Sequence, residues 1–530
     1  VLICGEEGMM SMMDDLLQPV WKADPGRWDY GMAAHLLRRA GFGGTIEEIE
    51  RLTAMGPQKA VLSLVDYQNL PDNFAPMEFG ELTGPLDAKK TSGGAGRGGM
   101  AGMIGTPYFR NMSQDQKRVL YNLEQGAQRE KLEELKLWWI DRMIRTKRPL
   151  EEKMTLFWHG LFVSSAVTVK NSFLLSKQNN LYRQYAVGNY KALTLAVSKD
   201  PCMLTYLNND MNQKEHPNEN YARELMELFT LGIGNYTEKD IKESARSFTG
   251  WTHIGDQFVF NFREHDTGTK TFLGHSGNFT GEDIVDIIFE QAACSKYIAT
   301  RLLKFFGTDE PDAPLVNALA EVVRANGYEI RPVLHTLFAS NWFYSADVID
   351  RQIKSPVQLV VGSLRALNVG LAQPRQVDNA LKLMGQELFN APTVKGWDGG
   401  RAWINTSTLF ARYNLPAYLG TGKLPSTGKK PASAGAMDAR TDYADFESGW
   451  NPQEDLAAAG VSTTDGVVDL YIQKLLGMTL DSKKRDELLQ YVNASGDTRS
   501  HINDPISAES DNRVRSLVHL IMSMAEYQLA

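Results

Sequence analysis

Cysteine is scarce in this 530-residue chain: there are three, Cys4, Cys202 and Cys294, with no CxxC pair and no cysteine and histidine spacing of the zinc-ribbon kind. At most one internal disulfide can form, which suits a reducing compartment and is also met in large periplasmic proteins. Long apolar runs are missing too. None approaches the roughly 20 residues a helix needs to cross a bilayer, so an integral helical membrane protein is not expected. Basic surplus is absent: 56 Lys and Arg stand against 64 Asp and Glu, a formal charge of -8, with a pI near 5.7. No broad cationic face can be built from that balance, which argues against nucleic acid as the main partner.

An export signal is also not visible. Residues 1–13 begin apolar, are broken by Glu6 and Glu7, and have no basic start. A cytoplasmic location is the expectation from these residues, with export the alternative should a leader be lost before Val1. HExxH and GxSxG do not occur, which removes the simplest zincin and serine-hydrolase readings. Gly422 to Lys430 fails as a phosphate-binding loop, because five residues separate Gly422 from Gly428, Pro425 interrupts it, and Lys430 stands where Ser or Thr is required. Gly232-Ile233-Gly234 ends a helix and does not join a strand to one, so it is no dinucleotide fingerprint.

What remains is ordinary globular composition, 43% hydrophobic and 23% charged. Helical signals dominate. Ala33, Leu36, Leu37 and Ala40 recur at helical spacing between Asp29 and Gly41. Thr45 with Glu48 is a capping-box pattern, and helices are expected over 114–146, 149–162 and 219–231. Around Gly255-Asp256, Trp251, Phe258, Phe260, Phe262 and Phe272 alternate with polar residues, predicting a small hairpin or sheet within 250–273. The expected fold is a mainly α, large multi-helix globular protein with that β element. A 29–530 helical domain would follow an N-terminal extension of 28 residues and carry insertions at 80–107 and 420–450, where Gly-rich or Gly, Pro, Ser and Lys text lacks any period.

Four segments have side chains suited to chemistry. On the helix expected after Pro217, Asn220, Arg223, Glu224 and Glu227 fall at i, i+3, i+4 and i+7 as one polar stripe, with Glu219 at its start. Paired carboxylates there, Glu219 and Glu224 above all, are candidate acid and base, with Asn220 and Arg223 as ligand-binding groups. The same spacing equally describes structural i,i+4 ion pairs. His159 sits in an apolar helix, as either a proton carrier or a core histidine. His265 and Asp266, with Lys270, lie on a polar loop after the expected strand. Trp397, Asp398 and Arg401 follow a glycine turn and could stack against and hydrogen-bond a planar-faced ligand such as a sugar. A divalent metal is conceivable near such groups, although no strong ligand motif specifies one.

Ala34 through Gly43, Phe157-Trp158-His159, Asn218 through Gly232, Phe248 through Trp251, His265 through Gly268 with Lys270, and Gly396-Trp397 occur in an order that resembles the bacterial domain of unknown function 1800 family from about Asp29 onward. That resemblance implies a mostly helical bacterial protein, often exported and often encoded beside a second uncharacterised family with a sulfatase-like look. It implies no activity and no catalytic residues. The chain departs from the pattern at Gly160 and Leu161, where relatives often read Asn-His, which weakens any metal pair built on His159. Two functions are therefore expected to compete. One is a hydrolytic enzyme acting on a glycan or other polymer through a shared carboxylate and histidine cleft. The other is a non-enzymatic module binding a cell-surface or operon-encoded partner protein.

Overall fold

Local capping chemistry sets the first helix boundaries in the computed structural model, which describes residues 16–24, 26–79, 112–371, 374–421, 450–494 and 508–530. The Asp29 carboxylate accepts from the Met32 amide and opens Tyr30–Ala40, which ends at Gly41. Thr45 and Glu48 exchange side-chain and backbone bonds to open Ile46–Met55. Ser113 and Gln116 do the same for the long helix Gln114–Arg145, and Pro149 stands at the first turn of Pro149–Leu161. The insertion expected at 80–107, the stretch 422–449 and the start of the N-terminal extension lie outside the described residues.

The fold is mainly α, with two small antiparallel hairpins. In the first, β1 (Trp251–Ile254) pairs with β2 (Gln257–Phe260) across the Gly255-Asp256 turn, in register Trp251 to Phe260. The second, β3 (Lys270–Phe272) with β4 (His275–Gly277), turns at Leu273 and Gly274, both at positive φ. Its strands have three residues each, too short to leave an alternating pattern in the sequence. Among the described residues, no helix is long and apolar enough to cross a membrane.

One expected helix differs. Residues 219–231 are not a continuous α-helix: Asn220–Glu224 is α, and Leu225–Thr230 widens into a π-helix. The Thr230 hydroxyl donates to the Leu225 carbonyl at 2.5 Å, and the Leu231 and Gly232 amides both donate to the Met226 carbonyl. The Tyr190 and Tyr297 hydroxyls, from two other helices, donate to the carbonyls of Phe229 and Leu228. These hydroxyls satisfy carbonyls of the last turn, which have no donor within the helix. The register placing Glu227 in line with Asn220, Arg223 and Glu224 therefore changes from Leu225 onward.

Two apolar clusters form the core, and Pro149–Leu161 lies between them, with Phe157 and Trp158 in one and Leu156 in the other. Its polar residue Glu152 is fully buried. That carboxylate accepts from the Trp139 indole at 2.8 Å, from Arg142 Nε at 2.5 Å, and from Arg183 Nε at 2.7 Å and Nη2 at 3.0 Å. Arg142 also reaches Glu151 and Asp72. Burial pushes the Glu152 carboxyl upward, but Arg183 and Arg142 outweigh it and hold the group below its ordinary range. Replacing Glu152 by Ala leaves the buried Arg183 without a carboxylate and Arg142 with only Glu151 and Asp72, so chemical denaturation should give a loss of about 3 kcal/mol. A change under about 1 kcal/mol would mean that the network contributes little.

Candidate functional site

The four candidate segments divide into two groups. In the first, His159 and Trp397 meet, with ring centroids 5.8 Å apart. Burial holds the His159 imidazole down at about 3, and Trp139, Tyr182 and Phe389 also pack around it. The Phe389 amide donates to His159 Nε2 at 3.1 Å, which puts the ring proton on Nδ1. His159 is thus a neutral core imidazole that positions Phe389 and Trp397. Gly396 explains the neighbouring turn: it has φ +89°, and a Cβ there would meet the Gly160 carbonyl oxygen at 2.6 Å. Only a glycine permits this close approach of the turn to the helix end.

Beyond Trp397 the surface opens into a cleft of about 640 Å³. Phe157, Phe305, Trp397 and Trp403 supply its aromatic walls, with Gly160, Gly399 and Gly400 between them. Arg301, Lys304, Arg351 and Arg401 face it together with Asp309, Glu310 and Asp398. Asp398 pairs with Lys395 at 2.8 Å. Apart from Trp397, Asp398 and Arg401, none of these charged residues is a candidate from the sequence. Arg301, Lys304, Asp309 and Glu310 belong to a helix end and the turn after it, Arg351 to a separate loop, and no spacing along the chain relates them.

In the second group, the Glu219 segment and the His265 loop are tied to one scaffold residue, Asn212. Its side-chain oxygen accepts from the Asn218 amide at 2.8 Å, and its backbone carbonyl accepts from the Gly250 amide at 2.8 Å. His265 Nδ1 donates to the Thr249 carbonyl at 2.9 Å, and the Asp266 amide donates to the Thr249 hydroxyl at 2.8 Å. Asp266 takes Arg246 Nε at 2.7 Å and Nη2 at 3.2 Å, and that bond holds its carboxyl low. Lys270 is buried with its ammonium on the Asp266 carbonyl at 2.5 Å, and burial lowers it. Arg223 chelates Glu238 at 2.8 and 3.0 Å and lies 3.6 Å from Glu219, while Asn220 is exposed. Glu224 is half-buried: burial, then the charge of Glu227, pushes its carboxyl up. Tyr236 donates to Glu227 at 3.0 Å.

Among the described residues, no hydrogen bond, ion pair or ring contact joins the candidate side chains of the two groups, although their segments touch where Phe162 packs on Phe229, with ring centroids 5.2 Å apart. Nor does any set of three or more His, Cys, Asp and Glu side chains gather to hold a metal ion among the described residues. Over residues 35–529 the chain matches the family model described as protein of unknown function (DUF1800). The chain belongs to the DUF1800 family. No curated protein and no solved structure matches it. The DUF1800 segments noted in the sequence thus acquire physical meaning in pairs: Thr249 anchors His265 and Asp266, and Gly396 seats Trp397 against Gly160.

One buried acid escaped the sequence reading. Asp200 caps Pro201–Tyr206 through the Met203 amide and accepts from Gln178 Nε2 at 2.7 Å. Burial raises its carboxyl to about 7. Its folded-state value lies above the unfolded one, so its protonated form favours folding. That contribution is full below about pH 4 and is lost as pH rises through about 7. An Asp200→Asn variant should flatten this decline in melting temperature, and an unchanged pH profile would contradict it.

Proposed function

We propose that the chain is a binding protein whose cleft beside Trp397 holds part of a polyhydroxylated polymer, a glycan. The observation carrying this reading is the cleft wall itself: aromatic rings set beside planar guanidinium, carboxylate and amide groups, with Trp397 seated by His159 and Gly396. Sugar rings present apolar CH faces to aromatic rings and hydroxyl edges to such polar groups. Calorimetry with neutral and acidic oligosaccharides tests it. Trp397→Ala should weaken binding at least about tenfold, about 1.4 kcal/mol, without lowering the melting temperature by more than a few degrees. Equal affinity of wild type and variant would refute the reading.

A hydrolytic role is favoured by one separate observation, the pairing of Glu224 with Glu227 at the start of the π-helix. Glu224, pushed toward its protonated form, is suited to be a general acid, with Glu227, which accepts from Tyr236, as the neighbouring carboxylate. In this reading Glu224→Gln abolishes release of reducing ends from a polysaccharide. The same variant is at least as stable as wild type at neutral pH, because the raised carboxyl destabilises the folded state there. Reducing-end release that survives the substitution would end the hydrolytic reading and leave the binding reading standing.

A further inference from the structure

A second cavity, of about 270 Å³, shares no lining residue with the cleft beside Trp397. It sits where Gln114–Arg145 faces the junction of two other helices, Ala166–Val169 and Ser172–Gln184. Gln128, 5% exposed, accepts at Oε1 from the Ser172 amide at 2.9 Å and from the Ser172 hydroxyl at 2.7 Å. Asn171, 6% exposed, accepts at Oδ1 from the Leu174 amide at 3.1 Å. A backbone N–H can only donate, so these bonds fix which end of each carboxamide is oxygen. The nitrogen ends remain. Among the described residues neither Gln128 Nε2 nor Asn171 Nδ2 has a hydrogen-bond partner. The Nε2 of Gln125, about one helical turn before Gln128 on the same wall, is buried and has none either.

Donors left without acceptors in a buried wall are costly, and a ligand oxygen is what they lack. The charges around the cavity have the same bias. Arg129 and Lys170 line it from exposed positions, and among the described residues neither pairs with a carboxylate. The acid on the wall, Glu387, is already matched by Lys136 at 2.5 Å, Lys382 at 3.5 Å and the Asn390 amide at 2.8 Å. Lys170 also holds φ +53°, in the left-handed region that favours glycine, a strain that the surrounding structure must impose. Leu132, Ala166, Val167 and Leu175 complete the lining as an apolar wall. We infer that this cavity binds a small organic carboxylate, with its oxygens on Gln128, Asn171 and Lys170 and its hydrocarbon body on Leu132 and Leu175. Inorganic phosphate would engage the donors but leave the apolar wall uncovered. The volume lies below the roughly 300 Å³ at which sites for drug-sized ligands begin, so the body is a short chain. The inference does not rest on what the cleft beside Trp397 binds.

Calorimetry on the full chain with hexanoate, its uncharged analogue hexanamide and inorganic phosphate tests it. Hexanoate should bind with a Kd at or below about 1 mM, and hexanamide and phosphate at least about tenfold more weakly. Gln128→Glu keeps an oxygen for the Ser172 donors but turns the free donor into an acceptor of negative charge, and should abolish hexanoate binding. Lys170→Gly removes the cation at a backbone angle that glycine adopts freely, so it should melt no lower than wild type while binding hexanoate at least about tenfold more weakly. No hexanoate binding by wild type, undiminished binding by Lys170→Gly, or phosphate binding as tight as hexanoate would overturn the inference. Wild-type crystals soaked with hexanoate brominated at its terminal carbon supply a second measurement that needs no variant. The bromine should give an anomalous peak beside Leu132 and Leu175, with the carboxylate about 3 Å from Gln128 Nε2. Peaks only elsewhere would overturn the assignment of the site.

Discussion

The Glu152 carboxylate is fully buried and meets three donor side chains, Trp139, Arg142 and Arg183. Trp139 and Arg142 belong to the long helix Gln114–Arg145 and Arg183 to Ser172–Gln184, so one carboxylate ties two helices to a third, and its loss would leave buried positive charge without its main partner. The arrangement reaches the surface through packed rings. Trp139 meets His159 edge-on, His159 meets Trp397, and Trp397 walls the cleft. The shape of the cleft therefore depends on an ion pair in the core with which it shares no residue.

The segments that identify the family by eye turn out to be halves of structural units. The Phe248 to Trp251 segment contributes Thr249, whose carbonyl and hydroxyl hold His265 and Asp266. Gly396 and Gly160 are likewise two sides of one close contact. A histidine beside an aspartate looks catalytic along the chain. Here the aspartate is occupied by Arg246 and the histidine is fastened to a backbone carbonyl and packed on Phe260 and Phe262. Such partners give these residues a positioning role whatever else they do.

Charge is managed differently in the two regions. Around Glu224 two carboxylates lie close, and burial with mutual repulsion moves one toward protonation, the usual condition for acid and base chemistry. The cleft instead mixes cations and anions near aromatic rings. Distinct regions with distinct electrostatics allow binding and chemistry to be tested separately.

Helix boundaries, the first hairpin and the mainly α character were legible in the sequence, because caps, glycine stops and apolar periods act within a few residues of one another. Asp29, Thr45 with Glu48, and Gly255-Asp256 each act locally. The π-helix was not legible, and the carbonyls at its end are taken by hydroxyls of Tyr190 and Tyr297 that arrive from other helices. Nor was the cleft, whose charged residues come from separate elements and acquire a common direction only after packing. The burial of His159 was likewise a tertiary decision. A residue's neighbours along the chain specify its local conformation, but its solvation, and hence its charge, is set by whatever the folded chain places against it.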